Sequence, residues 1–388
     1  MFILLCLCVC LSHLQITTAQ IHIPLNGTYS VSISTAKLTD DSRIDPLSSG
    51  NDTRSLMTSL FYPIPKQSCS KHCSVPYMPL LTGAAFDQFM GVPNGSVARF
   101  QMDVCCETKP FYNPDPSKMP LVIFSHGLGA SRLIHNAQIQ AVAASGYAVL
   151  SIDHTWDAQI VEFPDEAPIF GNFLEKCFTT LPNGTAIPNL DVLDFGAHLR
   201  AADATFAVNQ LGEQAIVSRL LPAANSTFNT SRVAMFGQSY GGATSILALT
   251  TEPRFLGGLN LDGNLYGKSN STTTKPAVIV GTDTHNSTVE PSWAEEFPKL
   301  QGFRREFAIQ KIGHYASIDM PLLLEVGNLT VPPEVAILLG DLGVKRGAYV
   351  FNVVVSVVEA FLEFVFYGKK SALLENPQSV FPEVLEVK

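Results

Sequence analysis

The stretch RVAMFGQSYGGATSILAL, Arg232 to Leu249, limits the folds open to this chain more than any other part of it. An apolar run enters a turn holding three glycines and one serine, and a helical pattern of small and apolar residues leaves it. A strand with no polar alternation belongs in a sheet covered on both faces. Within the turn, Gly237-Gln238-Ser239-Tyr240-Gly241 fits G-x-S-x-G, the nucleophile elbow. In such an elbow the serine has a strained backbone, and only glycine two residues to either side permits the close approach. The hydroxyl then stands over the C-terminal edge of the sheet, above a helix N-terminus that favours developing negative charge. An inert serine in a glycine-rich turn is the alternative, and the flanking strand and helix argue against it.

The same alternation recurs elsewhere. PLVIFSHG, YAVLSIDH, FLGGLNLD and PAVIVGTD read as short buried strands, with TYSVSIS and SLMTSLFYPI as earlier ones. HNAQIQAVAASG, closed by Gly146, and DVLDFGAHLRAADATFAVNQLG read as helices. The pattern predicts an α/β chain, a mostly parallel central sheet flanked by helices, forming one catalytic domain over residues 20–388. Segments of about 63–116 and 156–190 read as irregular loop insertions. The second is a candidate for the pocket mouth, with an ordinary surface loop as the alternative. Ala348 to Gly368 has the length of a membrane span, yet Asn352, Ser356, Glu359 and Glu363 fall on one helical stripe. Each glutamate would cost about 2.5–3.5 kcal/mol at the centre of a bilayer, so a closing helix with one wet stripe is the better reading.

Residues 1–19 form an apolar run ending in Thr17-Thr18-Ala19, the pattern of a secretory signal peptide. Nine sequons agree with export: Asn26, Asn51, Asn94, Asn183, Asn225, Asn229, Asn270, Asn286 and Asn328, all expected on surface loops. Beyond the signal five cysteines remain, Cys69, Cys73, Cys105, Cys106 and Cys177, enough for two disulfides and one leftover thiol. CSKHC lacks a second ligand pair at zinc spacing, so no metal site is expected. The net charge is −9, and no run of basic residues exceeds two. Nucleic acid is therefore excluded as a partner class, and electrostatic docking to anionic lipid is disfavoured.

A serine hydroxyl attacks only when an imidazole takes its proton and a carboxylate holds that imidazole in the right tautomer. Chain order in this kind of sheet is Ser, then Asp or Glu, then His. Asp262 ends one strand and Asp283 the next, and position alone does not choose between them. His314 follows an apolar segment and a glycine, whereas His285 is too near Asp283 in sequence to be the obvious base. The oxyanion donors are expected to be the backbone N–H groups of Tyr240 and Leu128, the latter in the glycine-bearing FSHGLGA. His126 in that segment reads as a loop residue rather than a second base.

FSHGLGASR, IDHTWDAQIVEFPD, FGQSYGGATS, LNLDGNLYG and GHYASIDMPLL, in this order, resemble the secreted platelet-activating factor acetylhydrolases. These are phospholipase A2-like serine esterases of the α/β-hydrolase fold. The resemblance runs from about Gly27 to the C-terminus. It implies Ser239 as nucleophile, His314 as base and Asp262 as acid, with Leu128 and Tyr240 on the oxyanion. It also implies phospholipid substrates with a short or oxidised acyl chain at the middle glycerol carbon, hydrolysed without calcium or any other cofactor. Transient contact with a lipid surface would accompany such substrates. Gln238 stands where the family often has His, and Tyr240 where Phe is common. The other readings are a general carboxylesterase or polyester hydrolase using Asp283, and a secreted glycoprotein that keeps the fold for binding alone.

Overall fold

The computed structural model describes residues 20–388 apart from 25–26, 182–183 and 268–270. The signal segment and the sequons at Asn26, Asn183 and Asn270 lie outside the described residues.

The apolar runs form one nine-stranded sheet. In chain order its strands are β1 (Tyr29–Ile44), β2 (Thr53–Pro65), β3 (Leu121–Ser125), β4 (Ala148–His154), β5 (Val233–Gln238), β6 (Phe255–Leu261), β7 (Ala277–Thr282), β8 (Arg304–Ile309) and β9 (Val384–Glu386). Across the sheet the order is β9-β8-β7-β6-β5-β3-β4-β2-β1. The six strands from β8 to β4 are parallel, and β9, β2 and β1 pair antiparallel at the margins. This is the mostly parallel sheet that the sequence predicts.

Eight helices matter for the site and its support: α1 (Leu80–Met90), α2 (Asn136–Ala144), α3 (Leu190–Gln210), α4 (Tyr240–Thr251), α5 (Pro291–Glu296), α6 (Met320–Gly327), α7 (Pro333–Lys345) and α8 (Gly347–Tyr367). Alternate strand residues feed two cores. Val122, Phe124, Ala234 and Phe236 pack against α2 and α8, while Leu121, Ile123, Val233 and Met235 pack against α3 and α4. Fully burying a side chain of this size stabilises by about 1.5–3 kcal/mol, so both faces need their helices. On α8, Asn352 is exposed and Ser356, Glu359 and Glu363 are half-buried, while Val353, Val354, Val357, Val358 and Phe361 are buried. The wet stripe is therefore present, with Glu359 accepting from the Ser145 hydroxyl and Glu363 3.2 Å from Lys369 Nζ.

Two expectations need correction, and a third needs a small addition. The segment of about 63–116 is not loop: it holds strands Cys69–Pro76 and Phe100–Thr108 and helix α1. These strands pair antiparallel, and disulfides Cys69–Cys105 and Cys73–Cys106 cross-link them. Covalent staples hold a ribbon whose outward face is polar, which is why residue types alone suggested loop. The segment of about 156–190 is mostly irregular, as expected, apart from a one-turn helix and two short ribbons. Finally, Asn286 is buried rather than on the surface. Its side-chain oxygen caps the following turn, accepting from Thr288 N–H at 2.9 Å. Asn51, Asn94, Asn225, Asn229 and Asn328 are exposed.

Candidate active site

Adjacent strands β3, β5 and β6 end side by side, and each delivers one part of the site. Ser239 leaves β5 with φ 55° and ψ −122°, and α4 starts at the next residue. A Cβ on Gly237 would lie 2.3 Å from the Gly241 carbonyl carbon, and one on Gly241 1.9 Å from Ser125 O. Both glycines are thus demanded by contact with backbone, as the elbow pattern requires. Asp262 follows β6, also with positive φ at 58°, and its N–H is held by Val280 O at 2.7 Å. His314 begins the turn after β8, fixed by Gly313 N–H on Leu339 O at 2.9 Å.

The Ser239 hydroxyl lies 3.0 Å from His314 Nε2, and His314 Nδ1 lies 2.6 Å from Asp262 Oδ2. A carboxylate accepts only, so the proton sits on Nδ1 and the Nε2 lone pair faces the hydroxyl. Asp262 is 4% exposed, which keeps water from competing for it. Asp283, the other acid weighed above, is exposed, and among the described residues its carboxylate meets only the Lys311 N–H, at 3.4 Å.

Tyr240 N–H, at the first position of α4, has no intrahelical acceptor. Leu128 sits on the loop after β3, and no acceptor among the described residues takes its N–H. That loop is pinned from below by Arg200 of α3. Its guanidinium donates to His126 O, to Gly127 O at 3.2 Å, and to both oxygens of Asp157 at 2.6 and 2.7 Å. Asp157 in turn accepts Gly129 N–H at 3.3 Å. With the His126 and Gly127 carbonyls and the Gly129 N–H engaged in this way, the loop backbone is held in place around the Leu128 N–H. The pair is buried, and breaking it would leave a lone charge in the interior. Sequence reasoning missed this support, because Asp157 and Arg200 lie 43 residues apart in elements with no shared motif. His126 is fully buried; desolvation and the Arg200 charge hold its pKa well below the ordinary value, so it is no second base.

A second relay has the same form. Ser125 Oγ is 2.9 Å from His154 Nε2, and His154 Nδ1 is 2.9 Å from Asp203 Oδ2. All three side chains are fully buried, and Arg54 also holds Asp203 at 2.6 Å. No substrate reaches it. Ser239, by contrast, faces a cavity of about 110 Å³. Thr82, Phe86 and Phe89 of α1 form one wall, and Gln238, Tyr315 and Ile318 contribute the rest near His314. The Phe89 and Tyr315 rings meet edge-on at 4.9 Å. The segment of about 156–190 adds Gln159 to the lining, so the disulfide-stapled segment before β3 shapes more of the mouth. Cys177, the leftover thiol, is buried, and desolvation raises its pKa to about 12. It stays protonated and does not compete with Ser239.

The family described as platelet-activating factor acetylhydrolase, isoform II, matches residues 16–165 and 220–329. The chain belongs to this family. A probable 1-alkyl-2-acetylglycerophosphocholine esterase of Arthroderma benhamiae is 28% identical over 386 residues, covering 93% of this chain and 92% of that protein. Platelet-activating factor acetylhydrolases of Cavia porcellus and Gallus gallus are 26% and 29% identical over 231 and 192 residues. Those two matches cover 52% and 45% of this chain, and 49% and 42% of the respective relatives. Among solved structures, a ferulic acid esterase from Streptomyces cinnamoneus superposes with a TM-score of 0.76 at 24% identity, over 95% of this chain and 100% of that one. This acetylhydrolase-family chain is accordingly a carboxylic ester hydrolase with the α/β-hydrolase fold, and the reading as a binding glycoprotein falls away.

Proposed function

We propose that the enzyme hydrolyses the short acyl ester at the middle glycerol carbon of platelet-activating-factor-like phospholipids, through an acyl-enzyme on Ser239 and without calcium. The observation that carries this reading is the Ser239–His314–Asp262 chain opening on a cavity of about 110 Å³. A cavity of about 150 Å³ holds one benzene ring, so this one has room for an acetyl or similarly short chain beside Ser239. The acetylated substrate for which the Arthroderma benhamiae relative is named agrees.

In this reading His314 Nε2 takes the Ser239 proton as Oγ bonds to the acyl carbon. The carbonyl oxygen becomes an oxyanion facing the Leu128 and Tyr240 N–H groups, while Asp262 stabilises the imidazolium. As the intermediate collapses, the bond to the glycerol oxygen breaks and His314 returns the proton to the departing alcohol. Water, deprotonated by the same imidazole, then attacks the acyl-serine, releasing the acid and restoring Ser239. No step needs a metal. Leu80, Leu81 and Phe89 of α1 and Ile337 and Leu338 of α7 are exposed apolar residues flanking the mouth, suited to brief contact with a lipid surface. The apolar leader, the exposed sequons and the two disulfides support export, with glycans on the exposed asparagines.

The test compares kcat/KM for phosphocholine lipids bearing acetyl, butanoyl or palmitoyl at the middle carbon with that for nitrophenyl acetate, with and without a calcium chelator. A fall of at least about 100-fold from acetyl to palmitoyl, indifferent to chelator, supports the proposal. Preference for the nitrophenyl ester over every phospholipid would point to a general carboxylesterase instead.

A further inference from the structure

Asp262 carries a second imidazole that the reaction above leaves unused. His285 Nδ1 lies 2.7 Å from Asp262 Oδ1, while His314 Nδ1 takes Oδ2 at 2.6 Å. The carboxylate is thus held between two rings, one on each oxygen. Several features place His285 there. Thr282 N–H donates to His285 O at 3.0 Å, folding the loop after β7 back on itself. A Cβ on Gly281 would fall 2.1 Å from that same oxygen, so glycine is needed for the fold-back. The His285 ring packs on buried Trp293 of α5 at 4.7 Å, and the Trp293 indole N–H donates to Gly263 O at 2.7 Å, one residue from Asp262. Glu290, another carboxylate within reach of His285, stands farther off at 3.7 Å and is taken by Asn264 Nδ2 at 2.8 Å. The ring therefore turns inward to the buried acid instead of pairing with the more open one.

We propose that His285 is a positioning residue for catalysis: its Nδ1–H fixes the rotation of the Asp262 carboxylate and sets how much negative charge His314 feels. This rests on the Ser239–His314–Asp262 reading. A buried carboxylate with one oxygen unpartnered would rotate to share its remaining donor, loosening the bond that orients His314. The charge effect has a definite sign. The groups facing His285 are Asp262 and Glu290, with His314 on the far side of Asp262. Asp283 meets Lys311 N–H on the same loop, and Glu306 of β8 accepts Ser287 N–H at 2.7 Å. Burial opposes a proton on His285, but the two carboxylates it contacts outweigh burial and raise its pKa above the ordinary value. As pH falls, His285 gains positive charge and competes with His314 for Asp262. Its removal therefore makes His314 more basic and moves the acid limb of kcat/KM to higher pH.

The test uses His285→Phe, which keeps a ring on Trp293 but loses the donor, and His285→Asn, which keeps an uncharged donor. Rates with nitrophenyl acetate from about pH 5 to 9 are expressed per site titrated by a serine-directed organophosphate. His285→Phe is expected to lower kcat about tenfold with KM within about twofold, and to shift the acid limb up by about one pH unit. His285→Asn is expected to recover most of kcat while keeping the shifted limb. A purely structural role would lower the number of titrated sites and leave the per-site rate and limb alone, and that result would overturn the inference. Absence of label on the wild-type enzyme would instead bring down the triad reading beneath it.

Discussion

Replacing Asp262 by Asn removes one negative charge from contact with the imidazolium that forms in the transition state. With about 4 Å between charge centres and an effective dielectric of about 20, the loss is about 4 kcal/mol. That corresponds to about 10³-fold in kcat/KM. The amide adds a second effect. If its NH₂ faces His314 Nδ1, the imidazole proton moves to Nε2, Ser239 loses its acceptor, and the loss grows to about 10⁴-fold. Because Asp262 touches two imidazoles, the amide has an alternative: with the His285 proton moved to Nε2, on the side of Glu290, it turns its NH₂ to His285 Nδ1 and leaves its oxygen for His314. The expected loss is therefore nearer 10³ than 10⁴. The assay is kcat/KM on nitrophenyl acetate, scaled to sites titrated by organophosphate, with Asp283→Asn as control. The control should stay within about twofold of wild type, since Asp283 is exposed and holds one backbone N–H. Activity of Asp262→Asn within tenfold of wild type, or an equal loss in Asp283→Asn, would refute the reasoning.

Gly241→Ala places a methyl 1.9 Å from Ser125 O, a backbone atom of β3 that cannot swing away. It is expected to cost several kcal/mol by urea unfolding and to abolish labelling; a variant with wild-type stability and rate would contradict the elbow geometry. His135 is fully buried, with one ring nitrogen 3.2 Å from Gln138 Oε1 and the other unpartnered among the described residues, and desolvation pushes its pKa down to about 3. The unfolded chain binds this proton near pH 6.5 while the fold refuses it until about pH 3, so stability is lost as pH drops through that window. At pH 5 the loss from this residue is about 2 kcal/mol. His135→Phe, packed on the same Phe124 ring, should shrink the difference in unfolding free energy between pH 7 and pH 5 by that amount; an unchanged difference would contradict it.

Ser239, Asp262 and His314 could be grouped from sequence for one reason: each lies at or just beyond the end of an apolar run that becomes a strand. Strand termini in a parallel sheet share one edge, so residues 239, 262 and 314 converge without any long-range knowledge. Position alone left Asp262 and Asp283 tied, because both end strands. What separates them is a backbone turn: Asp262 takes a positive φ beside Ser239, while Asp283 is carried outward. His285 was set aside as base because it lies so near Asp283 in sequence, and nothing local showed that the folded-back loop gives it to Asp262. The pocket wall was hidden for another reason. Helix α1 sits within a proline- and glycine-rich segment, between two strands that disulfides cross-link, and the pairing of those cysteines has no local signal. Arg200 and Asp157 were equally invisible, since a buried ion pair between a helix and a loop has no periodicity to betray it.

The central claim is that Ser239, activated by His314, carries the acyl group between the two halves of the reaction. It is tested most directly by quenching the enzyme in acid during turnover of an acetyl ester and mapping the modified peptide by mass spectrometry. The account predicts one acetyl group on Ser239 in the wild type, accumulating when deacylation is slowed, and none in Ser239→Ala or His314→Ala. Acetylation of another residue, or undiminished turnover by Ser239→Ala, would contradict it.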